Sequence, residues 1–276
     1  MARPSARTLA AEMSVRSERA VQRLKQHATR AVAGVVSAAS TAYHGRWYYA
    51  NRWHPHNALL QDALEETVEY IKANMPDAMI RRDARGVLTY ASRHVGLDGL
   101  FLEFGVRTGT SINHIARRNP RATIHGFDSF QGLPEPWTGW TMDSGAFGGE
   151  GIPAVEPNVE LHVGWFEETI PPFLERHPGP VAFAHIDSDI YSSAKTVLDG
   201  LATRLRPGSI VVFNEYFNYP NWKQHEFRAF QEFCRDHRAT YRYLCWGMYE
   251  VAVEITGLDV PPAGDTATPA SDEVAR

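Results

Sequence analysis

The stretch Glu103-Phe-Gly105-Val-Arg-Thr-Gly109-Thr-Ser111 decides how the chain folds, because it joins a short apolar run, residues 99–104, to a segment of helical periodicity, residues 110–118. The run predicts a buried strand and the segment predicts a helix, so both glycines lie in the turn between them. Glycine allows the backbone of such a turn to pass close to a ligand. The glycines are four residues apart, which matches neither the G-x-G-x-x-G dinucleotide fingerprint nor a Walker A loop.

Strands and helices alternate along the rest of the chain. Apolar and β-branched runs predict strands over residues 99–104, 122–127, 159–163, 180–186 and 209–213, with a closing hairpin over 241–245 and 249–255. Apolar residues at helical spacing predict helices over residues 56–74, 83–94, 110–118, 192–205 and 222–237. This pattern predicts an α/β fold, a doubly wound (Rossmann-like), mostly parallel seven-stranded sheet with a C-terminal antiparallel hairpin.

Composition excludes several classes of protein. The chain has 276 residues, of which 43% are hydrophobic, and its net charge is −4. That charge argues against a general nucleic-acid-binding protein, because such proteins usually carry a basic excess. Two cysteines are too few for a disulfide framework or a Cys-rich zinc site. No apolar run is long enough for a transmembrane segment, and we expect a cytoplasmic protein.

Charge and composition also divide the chain. Residues 1–55 are predicted to be a basic N-terminal arm, partly helical or disordered, since residues 1–46 carry eight Lys or Arg and two Glu. Residues 56–257 contain all the predicted strands and helices and form the folded domain. Residues 258–276 are rich in small residues and proline and are predicted to be a disordered tail.

The longest predicted loop covers residues 131–158 and contains six glycines and four prolines. Loops of this length inside a compact domain are usually lids, binding loops or disordered segments. Trp137 and Trp140 favour a lid, because apolar rings over a bound molecule exclude water. The alternative is that the tryptophans only anchor the loop to the domain.

In a parallel sheet, ligands bind beyond the carboxyl ends of the strands, so the residues after each strand are the candidate site residues. Asp128 and Ser129 follow the second strand, where an acidic side chain accepts hydrogen bonds from the hydroxyls of a ribose. A helix N-cap is the other reading of Asp128. Trp165 and Phe166 follow the third strand and flank an adenine in this interpretation, with core packing as the alternative.

Oxygen-bearing side chains follow the fourth and fifth strands. Asp187 and Asp189 come after the fourth strand, and Asn214 and Glu215 come after the fifth. Paired carboxylates at this edge suit either a divalent cation or a general base. A cap for the following helix explains one of the two aspartates but not both.

Five segments, in order, resemble a class I S-adenosylmethionine-dependent methyltransferase of the macrocin O-methyltransferase (TylF-like) family, whose members methylate sugar hydroxyls of natural products. The resemblance spans roughly residues 98–237. The segments are Glu103-Phe-Gly-Val-Arg-Thr-Gly-Thr-Ser111, Asp128-Ser-Phe-Gln-Gly-Leu-Pro134, Gly164-Trp-Phe-Glu-Glu-Thr-Ile-Pro171, Asp187-Ser-Asp-Ile-Tyr191 and Arg206-Pro-Gly208.

The resemblance implies a role for each segment in binding S-adenosylmethionine. Gly105 and Gly109 pass beneath the methionine part, Glu103 binds its amino group and Asp128 binds the ribose. The aromatic pair after the third strand lies beside the adenine. The residues expected to contact the cofactor are therefore Glu103, Gly105, Gly109, Thr110, Ser111, Asp128, Ser129, Trp165, Phe166 and Asp187.

The family also uses acidic residues after the fourth and fifth strands to hold Mg²⁺, which orients a sugar hydroxyl and lowers its pKa. Asp187 matches the first of these ligands. Where the family typically has two aspartates after the fifth strand, this chain has Asn214-Glu215, so one formal charge is lost. The implied metal ligands are Asp187, Asn214 and Glu215. The candidate catalytic residues are Asp187, Asp189 and His225. If no metal binds, Asp187, Asp189, Glu215 or His225 is the candidate base, with an ordinary surface histidine as the alternative for His225.

The sequence therefore predicts an O-methyltransferase acting on a hydroxyl of a small, glycosylated or polyol natural product. Two alternatives stay open: a protein that binds S-adenosylmethionine without turnover, suggested by Asn214, and a nicotinamide-dependent oxidoreductase on a similar sheet. The absence of G-x-G-x-x-G argues against the second. We expect the partner to be a small-molecule hydroxylated acceptor, and we expect no binding to nucleic acid. The sequence is compatible with a homo-oligomer.

Overall fold

The computed structural model describes residues 54–259, so the predicted basic arm and tail lie almost wholly outside the described residues. The chain divides into two compact units, Met1–Ala58 and Leu59–Arg276. Of the first unit, only residues 54–58 are described. Among the described residues, no helix combines the length and the apolar character that a membrane span requires.

One mixed sheet forms the centre of the second unit. Its strands are β1 (Met79–Ile80), β2 (Leu100–Phe104), β3 (Ile124–Asp128), β4 (Val159–Val163), β5 (Val181–Ile186), β6 (Ile210–Phe213), β7 (Thr240–Trp246) and β8 (Val251–Gly257). They lie side by side in the order β1-β7-β8-β6-β5-β2-β3-β4. Only β8 runs antiparallel to its neighbours, β6 and β7. The prediction of a mostly parallel sheet with an antiparallel C-terminal hairpin is confirmed.

Helices cover both faces of this sheet. They are α1 (Pro55–Asn74), α2 (Ala84–Arg93), α3 (Thr110–Arg118), α4 (Phe166–Arg176), α5 (Tyr191–Leu201) and α6 (Glu226–Asp236). One apolar core lies between the sheet and α2 and α3, and a larger core lies between the sheet and the other helices. The Asp83 side chain caps α2 by accepting a hydrogen bond from the Gly86 N–H.

The structure differs from the predicted elements in three places. An eighth strand, β1, pairs with β7 at the sheet edge and is too short to be recognised from sequence periodicity. Helix α4 was not predicted, because it contains Pro171 and Pro172, which cannot donate intrahelical hydrogen bonds. The predicted helix over residues 222–237 is interrupted at His225, whose φ of −113° and ψ of −126° separate a single 3₁₀ turn from α6.

The turns after the parallel strands lie together at the carboxyl end of the sheet, and the hydrogen bonds between neighbouring strands extend into the first residue of each of four turns. The backbone N–H groups of Gly105, Gly164, Asp187 and Asn214 each donate to a carbonyl of the neighbouring strand, at 2.8–3.0 Å. These hydrogen bonds hold the turn residues in register with each other. The candidate site residues therefore lie on a rigid edge rather than on free loops.

Candidate active site

A cavity of about 660 Å³ opens at this edge, a size typical of small-molecule sites. It is lined by eleven of the predicted site residues: Gly105, Thr110, Ser111, Asp128, Ser129, Trp165, Phe166, Asp187, Asp189, Asn214 and Glu215. Three predicted site residues, Glu103, Gly109 and His225, do not line it. Leu133, Pro134, Trp137 and Phe147 from the long loop complete the wall.

Gly105 is required by its backbone surroundings. Its φ is +94°, and a Cβ at this position would lie 1.8 Å from the carbonyl oxygen of Asp187. No side chain fits there, so glycine lets the turn after β2 lie directly against the end of β5. Gly109 also has a positive φ, +76°, but a Cβ there would meet only side-chain atoms, those of Pro153 at 3.2 Å and Asn113 at 3.3 Å.

The Asp128 carboxylate holds the glycine turn in place. Its Oδ2 accepts hydrogen bonds from the backbone N–H groups of Val106 and Arg107, both at 2.8 Å. Its Oδ1 accepts from the Phe130 N–H at 2.7 Å. No helix follows Asp128 before β4, so the reading of this residue as a helix N-cap is wrong. Oδ2 therefore accepts two hydrogen bonds and Oδ1 accepts one, which leaves Oδ1 with more capacity to accept a further hydrogen bond.

Glu103 is completely buried and is paired within the protein. Its Oε1 accepts a hydrogen bond from the Ser111 hydroxyl at 2.8 Å, and its Oε2 lies 3.2 Å from Nδ1 of His185. Burial lowers the pKa of His185, but the hydrogen bond and charge of Glu103 have the larger effect. The net result is a pKa raised to about 8. The ring is therefore cationic at neutral pH. The sequence marks each of the two residues as a polar position inside an otherwise apolar strand, but it does not show that they pair.

The turn after β4 contributes the aromatic pair. Trp165 is the N-cap residue of α4, and Phe166 is its first residue. The Phe166 ring packs edge-on against Phe104, with 5.7 Å between centroids, while it also lines the cavity. Core packing and contact with a ligand are therefore compatible for Phe166.

Three carboxylates converge on the cavity, from Asp187, Asp189 and Glu215. Each offers one oxygen, and these oxygens all lie within 4.8 Å of one another. Burial raises the pKa of Asp187 to about 6, with the negative charges of neighbouring carboxylates adding to the rise. Burial and the charge of Asp187 also raise the pKa of Asp189 and of Glu215 well above their usual range.

Asn214 and Glu215, the predicted metal ligands after β6, contact each other. The Asn214 amide donates a 2.7 Å hydrogen bond to Oε1 of Glu215, so it orients this carboxylate, and Asp189 completes the group of three oxygens. Asp189 has a φ of +64°, a left-handed conformation that non-glycine residues seldom adopt. Oε2 of Glu215 is buried without a hydrogen-bond partner. A hard divalent cation such as Mg²⁺ fits this all-oxygen donor set.

Glu226, at the start of α6, supports the carboxylates from behind and was not predicted. It is fully buried, and its two oxygens accept hydrogen bonds from the backbone N–H groups of Ser188, at 3.1 Å, and Glu215, at 3.0 Å. Burial raises its pKa to about 8. No sequence pattern distinguishes it from an ordinary glutamate in the first turn of a helix.

His225 holds the long loop. Its Nε2 donates a hydrogen bond to the backbone carbonyl of Thr138 at 2.7 Å, and burial lowers its pKa. Trp137 is only 5% exposed and packs edge-on against Tyr219, on which Trp140 stacks. The loop is thus tied to the domain by both tryptophans, and Trp137 also lines the cavity.

Comparisons with known proteins agree with this arrangement. Residues 102–216 match a family model described as a methyltransferase domain. The fold is similar to that of CalS11, described as a calicheamicin methyltransferase, at a TM-score of 0.51 and 26% identity over 60% of this chain and 76% of CalS11. An apo structure of CalS11, described there as a TDP-rhamnose 3'-O-methyltransferase of calicheamicin biosynthesis, gives a TM-score of 0.45 at the same identity and coverage.

The O-methyltransferase NovP is similar at a TM-score of 0.48 and 19% identity, over 62% of this chain and 78% of NovP. No curated protein sequence matches the chain. The family match and the likeness to CalS11 confirm the predicted enzyme class, and the family match covers the glycine turn and the ends of β2 to β6. The chain is an S-adenosylmethionine-dependent methyltransferase with the class I fold.

Proposed function

We propose that this methyltransferase transfers a methyl group to a hydroxyl of a small, glycosylated or polyol natural product, as a member of the macrocin O-methyltransferase family. The observation that carries the proposal is the group formed by Asp187, Asp189 and Glu215 in the same cavity as the glycine turn. Hydroxyl groups are weak nucleophiles until they are deprotonated, and carboxylates at this position supply the base. CalS11, described as acting on TDP-rhamnose, supports a sugar as the acceptor.

The cofactor is assigned to the glycine-turn side of the cavity. In this assignment Asp128 binds the ribose, Trp165 and Phe166 lie beside the adenine, and Gly105 passes beneath the methionine part. Glu103 is buried and does not line the cavity, so its effect on the methionine end is indirect. It accepts a hydrogen bond from Ser111, and Ser111 lines the cavity. Gly109 shapes the turn without facing the cavity.

Mg²⁺ is assigned to the three clustered carboxylates, with Asn214 as the residue that orients Glu215. When bound, the cation supplies a positive charge that lowers the pKa of a coordinated hydroxyl. The formal charge that is lost at Asn214 is compensated in this proposal by Asp189. The alternative of a protein without turnover, suggested by Asn214, therefore loses its main support.

Asp187 is assigned as the proton acceptor, because its backbone lies directly against Gly105 and its side chain faces the cavity. The methyl transfer is an in-line displacement, so the protein must align the acceptor oxygen, the methyl carbon and the sulfur. His225 is assigned to positioning the loop, since its Nε2 binds Thr138 and its ring does not line the cavity. Trp137 closes the cavity over the acceptor and excludes water.

Transfer of a labelled methyl group to TDP-rhamnose and to a panel of glycosylated acceptors, with Mg²⁺ or with EDTA, tests the proposal. We expect transfer that is lost in EDTA. Asp187→Asn is expected to reduce kcat by about 10²–10⁴-fold, the usual contribution of a general base. The affinity for S-adenosylhomocysteine, measured by calorimetry, is expected to change little.

The matched control is Asp199→Asn, which alters an exposed aspartate of α5 that pairs with Lys195 and does not line the cavity. This variant is expected to keep the wild-type rate. Full methyl transfer by Asp187→Asn would remove the catalytic assignment. Tight binding of S-adenosylhomocysteine with no methylated product from any hydroxylated acceptor would contradict the proposed reaction.

A further inference from the structure

A second group of potential metal ligands lies outside the cavity, on the edge of the sheet formed by β3 and β4. It comprises His125 from β3, Glu160 and His162 from β4, and His177, which caps the C-terminus of α4. None of the four lines the cavity. Three of the chain's twelve histidines thus meet one carboxylate at a place that the methyltransferase reaction does not use.

The chain brings these residues together through strand register. Because β3 and β4 are parallel and in register at His125 and Glu160, their side chains lie next to each other. His162 is two residues further along β4 and therefore projects from the same face as Glu160. Helix α4 packs on that face through Phe173 and ends at His177. No local sequence motif predicts such a site, because its candidate ligands come from three different elements of the fold.

The donor atoms are at metal-binding distances. One atom each from His125, Glu160 and His177 lie within 4.8 Å of one another. Nδ1 of His125 is 3.5 Å from Oε2 of Glu160 and 3.2 Å from Nε2 of His162. Two nitrogens bound tetrahedrally at a Zn–N distance of about 2.0–2.1 Å are about 3.3 Å apart. The observed separations therefore need only small side-chain movements to surround an ion.

The ring of His177 is already oriented as a ligand. Its Nδ1–H donates a 2.9 Å hydrogen bond to the backbone carbonyl of Phe173, which leaves the Nε2 lone pair free. A hydrogen bond from the other ring nitrogen to a carbonyl is the usual way in which proteins fix a metal-binding imidazole. The His177 ring also stacks on Phe173, with 4.2 Å between centroids.

We propose that His125, Glu160 and His177, with His162 as a fourth donor, bind a transition-metal ion of the class that prefers imidazole, such as Zn²⁺. Imidazole nitrogens with one carboxylate select Zn²⁺, Co²⁺ or Ni²⁺ over Mg²⁺, which prefers oxygen ligands. The ion joins the C-terminus of α4 to the sheet edge and so stabilises the helix whose first residues line the cavity. This site is independent of the proposed function, because it shares no residue with the catalytic cavity.

Co²⁺ binding to the full-length protein tests the proposal, since tetrahedral Co²⁺ with nitrogen ligands absorbs visible light strongly and octahedral Co²⁺ with oxygen ligands absorbs weakly. Excess Mg²⁺ is included to occupy the carboxylates of the cavity. We expect an intense band that saturates at one Co²⁺ per chain and is bleached when Zn²⁺ displaces it. His177→Gln and Glu160→Gln are expected to lower the Co²⁺ affinity at least tenfold.

The matched control is His237→Gln, because His237 caps the C-terminus of α6 and packs on Phe233 as His177 does on Phe173. It is expected to keep the band. Zn²⁺ should also raise the Tm of wild type and of His237→Gln but not of His177→Gln. The side chain of Glu160 is 61% exposed, so Glu160→Gln will fold even if His177→Gln does not. Absence of the intense band, or an unchanged band in both ligand variants, overturns the proposal.

Discussion

Replacing Glu103 with glutamine breaks the buried pair that this carboxylate forms with His185 at 3.2 Å, between side chains that are at most 1% exposed. Removing one partner of a buried ion pair typically costs about 3–5 kcal/mol of the free energy of unfolding. We expect a loss of this size at about pH 6, where His185 is protonated in the wild type. Glutamine is nearly isosteric with glutamate, so the loss reflects charge rather than volume.

The cost depends on pH because the pKa of His185 is shifted in the folded protein. Burial lowers this pKa, but the hydrogen bond and charge of Glu103 outweigh burial and, with the charges of Asp187 and Glu226, raise the pKa from 6.5 to about 8. At about 1.4 kcal/mol per pKa unit, this rise corresponds to roughly 2 kcal/mol. Since the folded-state pKa of a base is raised, the stabilisation is fully present below pH 6.5 and is lost as the pH rises through about 8. In the variant, burial still lowers the pKa of His185 and the charges of Asp187 and Glu226 still raise it, but the part of the stabilisation that Glu103 supplies is absent.

Urea denaturation of wild type and Glu103→Gln, followed by tryptophan fluorescence at about pH 6 and about pH 9, measures the difference. We expect the gap in unfolding free energy to be about 2 kcal/mol smaller at the higher pH. Ser111→Ala is the control, because it removes the 2.8 Å hydrogen bond to Glu103 without a change of charge. Its cost, about 1 kcal/mol, should be the same at both pH values. A pH-independent gap for Glu103→Gln would refute the reasoning.

Three further outcomes are expected. Asp128→Ala leaves three backbone N–H groups without their acceptor, so it should weaken S-adenosylhomocysteine binding by about tenfold or more in calorimetry. An unchanged affinity would remove Asp128 from the ribose site. Gly105→Ala places a Cβ 1.8 Å from a carbonyl oxygen and should abolish this binding, whereas Gly109→Ala should be milder; equal effects would contradict the close-approach argument. Trp137→Ala should cost about 3–5 kcal/mol of unfolding free energy and raise the acceptor KM, and a wild-type KM would exclude a role in closing the cavity.

The loop over residues 131–158 illustrates how much of one element could be predicted from the sequence. Length and tryptophan content predicted a lid, with anchoring as the alternative. In the structure Trp137 packs against Tyr219, as anchoring requires, and it also lines the cavity, while the role as a lid stays a prediction. The hydrogen bond from His225 to Thr138 adds a second anchor. His225, near the start of the helix predicted over residues 222–237, was a candidate base, and only the three-dimensional structure shows which backbone group it binds.

The sequence by itself determined the order of every strand except β1 and of every helix except α4, the glycine turn, and the presence of carboxylates after β5 and β6. These features depend on local periodicity and on the rule that the ends of parallel strands meet at one edge. Tertiary structure decided which side chains pair. It placed Glu103 against His185, Asp189 with Glu215, and His125 with His177. Such pairs arise from strand register and helix packing between segments distant in sequence, which no local pattern encodes.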